Sequence, residues 1–161
     1  IPTRALSYAV IACAKSDQWK EALNLIDLYG IDLKYRRATT NNLESNQRGG
    51  LVSINAINCL IRACSRDSRP EVAVQILNDM QTKYNIRPNE STYRLAIIAC
   101  NHAEHRERRQ RRNTSAASNP LDFQWWECAL SLLRRMREDE IRPSVQAYSS
   151  AVSSLEAAGQ C

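Results

Sequence analysis

Two similar stretches, NIRPNESTY (85–93) and EIRPSVQAY (140–148), which share Ile-Arg-Pro and a final Tyr, decide how this chain folds. In each stretch a proline disfavours helix for the residue before it. The Asn or Ser that follows the proline is suited to cap the start of a new helix. The two stretches therefore mark equivalent boundaries in the chain, and they indicate an internal repeat.

The segments around these boundaries are amphipathic and are of two kinds. The first kind has its apolar residues on one helical face and occurs four times: at 7–16, 58–67, 93–102 and 148–157. The second kind follows three of them: at 19–29, 70–80 and 126–136. Ala22, Ala73 and Ala129 occupy equivalent places in the second kind, where a small side chain lets two helices approach closely. The sequence therefore predicts an all-α fold made of repeated helix-turn-helix hairpins.

The spacing of the repeat predicts two insertions. Pro88 and Pro143 are 55 residues apart, and Ala22 and Ala73 are 51 apart, against about 34 residues for the usual two-helix repeat. Polar, aperiodic sequence accounts for the excess, and we predict a loop at 31–53 and an insertion at 104–122. The predicted units are approximately 3–29, 54–89, 90–144 and a half unit at 145–161.

Composition agrees with a helical array. The 161 residues are 43% hydrophobic and include only 4 Gly and 5 Pro, so a continuous core of helices with short turns is expected. The six cysteines form no CxxC pair and fall mostly in apolar segments, which indicates small buried side chains in a reducing compartment. No membrane span and no secretory leader is visible. Residue 1 is Ile rather than Met, so we expect the protein to extend beyond this chain.

The overall charge favours an anionic partner. There are 22 Lys and Arg against 17 Asp and Glu, a net charge of +5, and the pI is about 9.0. This excess is modest, so charge alone does not establish nucleic-acid binding.

The repeat resembles the pentatricopeptide-repeat (PPR) family over nearly the whole chain. In one unit the resemblance rests on Tyr93, Cys100, Ala129, Leu130, Met136, Ile141 and Pro143, and in another on Ala63, Cys64, Ala73, Met80, Ile86, Pro88 and Asn89. The tetratricopeptide repeat has the same helix-pair design and binds peptides, but its Trp, Leu-Gly, Tyr spacing is missing here. The resemblance implies an α-solenoid, a right-handed superhelix of hairpins whose first helices line a concave groove.

The same resemblance implies that single-stranded RNA binds in the groove, one base per repeat. In the family, two residues read each base: a polar residue early in the first helix and the final residue of the repeat. Carried over to this chain, the pairs are Ser7 with Ser53, Asn58 with Asn89, and Arg94 with Ser144, and Ser149 begins an incomplete fourth. The amides of Asn58 and Asn89 imply a preference for C or U. Arg94 departs from the usual pairs, but an arginine can stack on a base or bind a phosphate.

Two further observations bear on these candidates. Family members usually sandwich each base with an aliphatic side chain, and this chain instead has Arg4, Asn55, Ser91 and Gln146. That departure puts recognition base by base in doubt. The polar candidates have an alternative role as helix caps and solvated surface, which Asn89 and Ser144 are suited to fill.

Arginines concentrate in the predicted insertion. The cluster opposes only two glutamates, and its members are Arg106, Arg108, Arg109, Arg111 and Arg112. Such a cluster can bind phosphate with strong salt dependence. The alternatives are a solvated loop or a continued helix with internal ion pairs.

The sequence gives little support for a metal site or an enzyme active site. Cys100, His102 and His105 form C-x-H-x-x-H, but residues 100 and 102 point to different faces of a helix and no fourth ligand is apparent. No nucleophile with a plausible base, paired carboxylates or phosphate-binding glycine loop is present. Trp125 and Trp126 are interpreted as packing residues at the start of a second helix. We therefore expect no enzyme activity, metal, cofactor or small-molecule substrate.

The leading hypothesis is an RNA-binding repeat protein of a mitochondrion or plastid, acting in RNA processing, stabilisation or translation, as the resemblance implies. One alternative is a scaffold or adaptor subunit of a larger organellar assembly, such as a ribosomal one. The other is a tetratricopeptide-like module that binds peptides. The unusual sandwich residues, the insertions and the shortness of the array point to the scaffold.

Overall fold

The architecture is a series of helical hairpins. The computed structural model describes residues 3–39, 52–113 and 124–160. Within these ranges it contains seven α-helices and no strand. They are α1 (Thr3–Lys15), α2 (Trp19–Thr39), α3 (Ile54–Arg66), α4 (Pro70–Thr82), α5 (Glu90–Asn113), α6 (Trp125–Glu138) and α7 (Val145–Ala158). The predicted all-α hairpin-repeat fold is confirmed.

The helices form two layers. The backbones of α1, α3, α5 and α7 approach one another in sequence, each within 8 Å of the next at Cα atoms. Among the described helices, α2, α4 and α6 make no such approach to one another, and each lies against first helices instead. The layer in which consecutive helices lie closer together is the inner one of a curved stack. The first helices therefore form the concave layer, as the resemblance implied.

Small residues set the spacing of each hairpin. Ala22, Ala73 and Ala129 are all 0% exposed and belong to the hydrophobic core. The core continues from one hairpin to the next, so each unit supports its neighbours rather than having a separate core.

A left-handed residue other than glycine follows four of the helices. Asp17 and Ser68 follow first helices, Asn85 and Glu140 follow second helices, and all four have φ between 53 and 59°. The residue after each of them donates its backbone N–H to a carbonyl in the last helical turn. Examples are Ile86 N to Met80 O at 2.7 Å and Ile141 N to Met136 O at 2.9 Å. Equivalent turns thus recur at equivalent positions, which keeps successive hairpins in one orientation.

The predicted loop at 31–53 is wrong over its first part. Helix α2 continues to Thr39, because residues 31–39 contain no proline and are rich in residues that tolerate helix. The single breaker, Gly30, costs only about 1 kcal/mol inside a helix. Residues 40–51 lie outside the described residues.

The predicted insertion at 104–122 begins as helix. Helix α5 runs without interruption to Asn113, so the alternative of a continued helix is correct for residues 104–113, here called the α5 extension. Glu, Arg and Gln are good helix formers, and Glu107 pairs with Arg111 one turn later at 3.3 Å. Residues 114–122 lie outside the described residues.

A buried carboxylate lies where the α5 extension meets the start of α6. The Glu104 side chain is 2% exposed, and its Oε2 has no hydrogen-bond partner among the described residues. Burial and the nearby Glu107 raise the pKa of Glu104, while Arg111 and the backbone N–H groups of Trp126 and Trp125 oppose that rise. Burial dominates, so ionised Glu104 costs stability.

Replacing Glu104 by Gln is therefore expected to stabilise the fold by about 1 kcal/mol at neutral pH. A raised folded-state pKa means that the wild-type carboxyl costs nothing below its unfolded pKa and destabilises the fold increasingly as pH rises through the folded pKa. The gain in Glu104→Gln should accordingly be near zero around pH 4 and grow towards neutrality. Urea denaturation at several pH values measures it, with exposed Glu127→Gln as the control. A gain independent of pH would contradict this account.

None of the helices in the described ranges is both long enough and apolar enough to cross a bilayer.

Candidate functional site

The candidate base-reading residues fall at equivalent places. Ser7, Asn58, Arg94 and Ser149 are each the fifth residue of a first helix. The candidate sandwich residues are each the second residue of the same helices: Arg4, Asn55, Ser91 and Gln146. Residues three apart share one face of a helix, so the two sets form adjacent columns at the amino-terminal ends of the first helices.

The second members of the pairs lie immediately before the next first helix. Ser53 and Ser144 are the N-cap residues of α3 and α7, and their hydroxyl oxygens accept from Ala56 N and Ala147 N, both at 3.3 Å. Asn89 precedes α5, and its Oδ1 accepts from Thr92 N at 3.0 Å. The capping role predicted as the alternative is thus present at all three residues, and it fixes their positions.

At the first junction the predicted pair is in direct contact. Ser53 N donates to Ser7 Oγ at 3.0 Å, and Ser7 is only 9% exposed. Ser7 is therefore poorly placed to contact a base, since its hydroxyl is both covered and engaged within the protein. The sequence did not reveal this, because the contact joins residues 46 positions apart.

At the second junction a residue that the sequence analysis missed connects the pair. The Thr92 hydroxyl lies 2.8 Å from Asn58 Oδ1 and 2.9 Å from Asn89 Oδ1, and Thr92 itself is 0% exposed. The Asn58 carbonyl oxygen is thus turned towards Thr92. The structure shows no partner for Asn58 Nδ2 among the described residues, so its two hydrogens remain for a ligand. The signal in the sequence was the spacing Asn-x-x-Thr, which resembles a capping box.

Thr92→Val is expected to destabilise the fold by about 1–2 kcal/mol, because the shape is kept while the buried hydroxyl that bonds to Asn58 and Asn89 is lost. Thermal or urea unfolding monitored by circular dichroism measures the loss. In the control Thr82→Val, an exposed hydroxyl bonded to Asn78 O is removed, and a change below about 0.5 kcal/mol is expected. Equal losses in the two variants would refute a special role for Thr92.

At the third junction Arg94 bridges two units. Its Nη1 donates to Gln146 Oε1 at 3.2 Å, and its Nε lies 3.6 Å from Glu90 Oε1. Gln146 is two residues after Ser144, so Arg94 and Ser144 lie at one junction. The Arg94 side chain is 22% exposed, which leaves its guanidinium accessible at the rim of the groove. Beyond it, Ser149 is exposed and its hydroxyl donates to Gln146 O at 3.1 Å.

The arginine cluster lies far from these junctions. All five of its side chains are exposed on the α5 extension: Arg106, Arg108, Arg109, Arg111 and Arg112. Arg106 follows Arg94 by twelve residues, which is about 18 Å along a helix axis. The α5 extension also continues about ten residues past the length of α3 and α7. The cluster is therefore a separate cationic surface at the opposite end of the first-helix layer.

The candidate metal ligands have separate partners. Cys100 is 0% exposed, His102 Nδ1 lies 3.2 Å from Ser65 Oγ on α3, and His105 Nε2 lies 2.9 Å from Ser153 Oγ on α7. Within the described ranges no group of three or more His, Cys, Asp or Glu side chains is arranged to hold a metal ion. The two histidines instead connect α5 to its neighbours in the first-helix layer.

Cysteines and tryptophans contribute to packing. Cys64 is buried, and burial, with the charge of Asp67 as the next cause, raises the pKa of its thiol to about 12. Trp125 is 9% exposed, and its Nε1 donates to Glu107 Oε1 at 2.8 Å. These residues belong to the core and its edge, as interpreted from the sequence, and Cys161 lies outside the described residues.

A comparison with family models identifies the central unit. Residues 52–102 match the model of the PPR repeat family. This segment is similar to a PPR repeat. The match begins just before α3, covers α4 and ends within α5, so it contains one complete hairpin and the first part of the next first helix. The PPR match includes the junction at Asn58, Asn89 and Thr92, and it favours PPR over the tetratricopeptide alternative. No curated protein matches the chain with significance.

Proposed function

We propose that this protein binds single-stranded RNA along the amino-terminal ends of its first helices. PPR proteins as a family are helical-repeat RNA-binding proteins and are generally not enzymes. The observation that carries the proposal is the second junction, where Thr92 holds Asn58 and Asn89 together within the segment that matches the family. Two amides fixed at one junction can contact a single base edge.

The orientation of Asn58 suits a pyrimidine. With Oδ1 engaged by Thr92, the amide presents its two N–H donors. The Watson–Crick edge of a pyrimidine carries the O2 acceptor, and cytosine adds N3. A donor-rich junction therefore supports the C or U preference that the resemblance implies.

The third junction contributes affinity rather than sequence reading. Arg94 is tied to Glu90 and Gln146, and its guanidinium plane is available for stacking or for a phosphate. The arginines of the α5 extension supply a second cationic surface that an RNA leaving the groove can reach. Together these features favour moderate affinity with selectivity concentrated at one junction.

Binding to short C-rich, U-rich and A-rich single-stranded RNAs across a salt series tests the proposal. We expect the pyrimidine-rich RNAs to bind more tightly, and Asn58→Ala to weaken them by about tenfold, since a good base contact contributes about 1–3 kcal/mol. Asn24→Ala removes an exposed asparagine of α2 and is the matched control. A folded chain without measurable RNA affinity near physiological salt would refute the proposal.

The family resemblance also supports a place of action. We propose that the protein acts in a mitochondrion or plastid, in RNA processing, stabilisation or translation. Fractionation of cells that express the full-length protein with a fluorescent tag tests this location.

A scaffold function has one specific observation in its favour. At the first junction Ser7 is covered and hydrogen-bonded to Ser53, so the Ser7 hydroxyl of that unit is poorly placed to contact a base. Cross-linking in intact organelles distinguishes the two functions, because cross-links to protein alone would favour the scaffold.

A further inference from the structure

Two cysteine side chains meet inside the hairpin of α5 and α6. Cys100 is the eleventh residue of α5 and is fully buried. Cys128 ends the first turn of α6, directly before Ala129 in the core, and is half-buried. A hydrogen bond joins the Cys100 and Cys128 thiols. The two sulfur atoms are therefore neighbours across the hairpin, and the one on α6 is within reach of solvent.

The register of the hairpin places these two cysteines together independently of their side-chain contact. Helices α5 and α6 run antiparallel, since the Tyr93 hydroxyl near the start of α5 donates to Asp139 just after α6. At the other end, the first backbone N–H groups of α6 lie at the Glu104 carboxylate. One helical turn from that point, back along α5 and forward along α6, lie residues 100 and 128. The backbone arrangement itself thus brings Cys100 opposite Cys128.

The other hairpins provide a comparison for this pair. The eleventh residue is a cysteine in three first helices: Cys13, Cys64 and Cys100. The residue before the central alanine of the second helix differs between hairpins, and it is Glu21, Val72 or Cys128. Within the described ranges a second thiol is therefore placed opposite the first only in the hairpin of α5 and α6. Cys64 is as buried as Cys100 but has a valine at that place.

The hydrogen bond gives the two thiols different reactivity. It lowers the pKa of Cys128, an effect that burial opposes and a hydrogen bond with Ser131 reinforces. The same hydrogen bond, and next to it burial, raises the pKa of Cys100. Because the thiolate is the nucleophile in exchange with disulfides, the half-buried Cys128 reacts first. Cys100 remains protonated behind it and reacts only after Cys128 has done so.

We propose that Cys100 and Cys128 form a reversible disulfide, which fastens α5 to α6, when the protein meets a small disulfide such as oxidised glutathione. In the first step the Cys128 thiolate attacks one sulfur of the oxidant, whose S–S bond breaks and releases one thiolate. Cys100 then loses its proton to water and attacks the Cys128 sulfur, which displaces the second thiolate. The released thiolates take up the two protons that the cysteines lost. Two thiols of the protein are thus oxidised, and one disulfide is reduced to two thiols.

The first step prepares the second. In the mixed disulfide Cys128 is no longer an anion facing Cys100, so the largest cause of the raised pKa of Cys100 is removed. The product joins the two helices of a hairpin whose first member, α5, contacts α3, α4, α6 and α7. The disulfide therefore stabilises the centre of the stack under oxidising conditions, and it does so independently of RNA binding.

Incubation of the full chain in glutathione buffers of increasing oxidised fraction tests the proposal. After alkylation of free thiols and digestion with trypsin without reduction, we expect peptide 95–106 joined to peptide 113–134, each of which contains one cysteine. This pair should be about tenfold more abundant than any other cysteine pair, because the two thiols are held side by side, and dithiothreitol should remove it. The unfolding temperature of the oxidised chain should rise by about 8 °C, as expected for a disulfide that closes a loop of this length.

Single substitutions separate the roles of the two cysteines. With Cys100→Ser, oxidation should stop at a mixed disulfide of Cys128 with glutathione, whereas Cys128→Ser should leave Cys100 as a free thiol. Cys59→Ser removes a half-buried cysteine of α3 and should leave the link intact, which makes it the matched control. Equal pairing of Cys128 with other cysteines, a mixed disulfide that persists in the wild-type chain, or a link that lowers the unfolding temperature would each overturn the proposal.

Discussion

Replacing the five arginines of the α5 extension by glutamine is expected to weaken RNA binding by about 100-fold at low salt. All five side chains are exposed around a helix, so about three can contact one strand at a time. For single-stranded RNA each phosphate contact adds about 0.7 to the dependence of log K on log salt concentration. The slope should therefore fall by about 2, which binding measured by fluorescence anisotropy across a salt series will show.

The control for this prediction carries the same change in net charge at a different place. It replaces five other exposed arginines by glutamine: Arg62, Arg87, Arg134, Arg137 and Arg142. We expect this variant to lose much less affinity, and we expect both variants to unfold at nearly the wild-type temperature. Equal losses would mean that the net charge of +5 attracts RNA without a localised site.

Ile97→Ala should have the largest effect on stability, a loss of about 3 kcal/mol, because truncating a buried aliphatic side chain removes its transfer energy and leaves a cavity. Ile97 is 0% exposed on α5, the helix that contacts α3, α4, α6 and α7. A cavity at Ile97 would lie in the hydrophobic core that the hairpins share. Urea denaturation followed by circular dichroism measures the change.

The repeat itself provides the control for Ile97. Val152 is the equivalent residue of α7 and is 48% exposed, so Val152→Ala should cost less than about 1 kcal/mol. Similar losses at both positions would show that α7 is covered in solution by something the described residues do not include.

Local patterns in the sequence were sufficient to predict the hairpins. The period of apolar residues, the alanines at helix contacts and the Ile-Arg-Pro boundaries depend on neighbours within a few turns. For the same reason the equivalence of Asn58 with Arg94 could be predicted, since position within a repeat is a property of the chain alone. The prediction of a loop at 31–39 was wrong, because polar sequence without a strong breaker remains compatible with helix.

The roles of individual site residues needed the tertiary structure. Thr92 connects Asn58 to Asn89 only because α5 packs on α3, and Ser7 is closed off only because Ser53 lies over it. The contacts Thr92–Asn58 and Ser53–Ser7 join residues far apart in the sequence and have no local signature, whereas Asn89–Thr92 has the spacing of a capping box. The distance of the arginine cluster from the junctions likewise follows from the continuation of α5 to Asn113.

By itself, the sequence determined which segments are helices, how they repeat and which positions correspond from unit to unit, because those properties arise from interactions along the chain. Only the tertiary structure decided which of the corresponding positions are available to a ligand. Burial and hydrogen bonding depend on what a neighbouring helix places over each residue, and equivalent residues such as Tyr93 and Tyr148 have different neighbours.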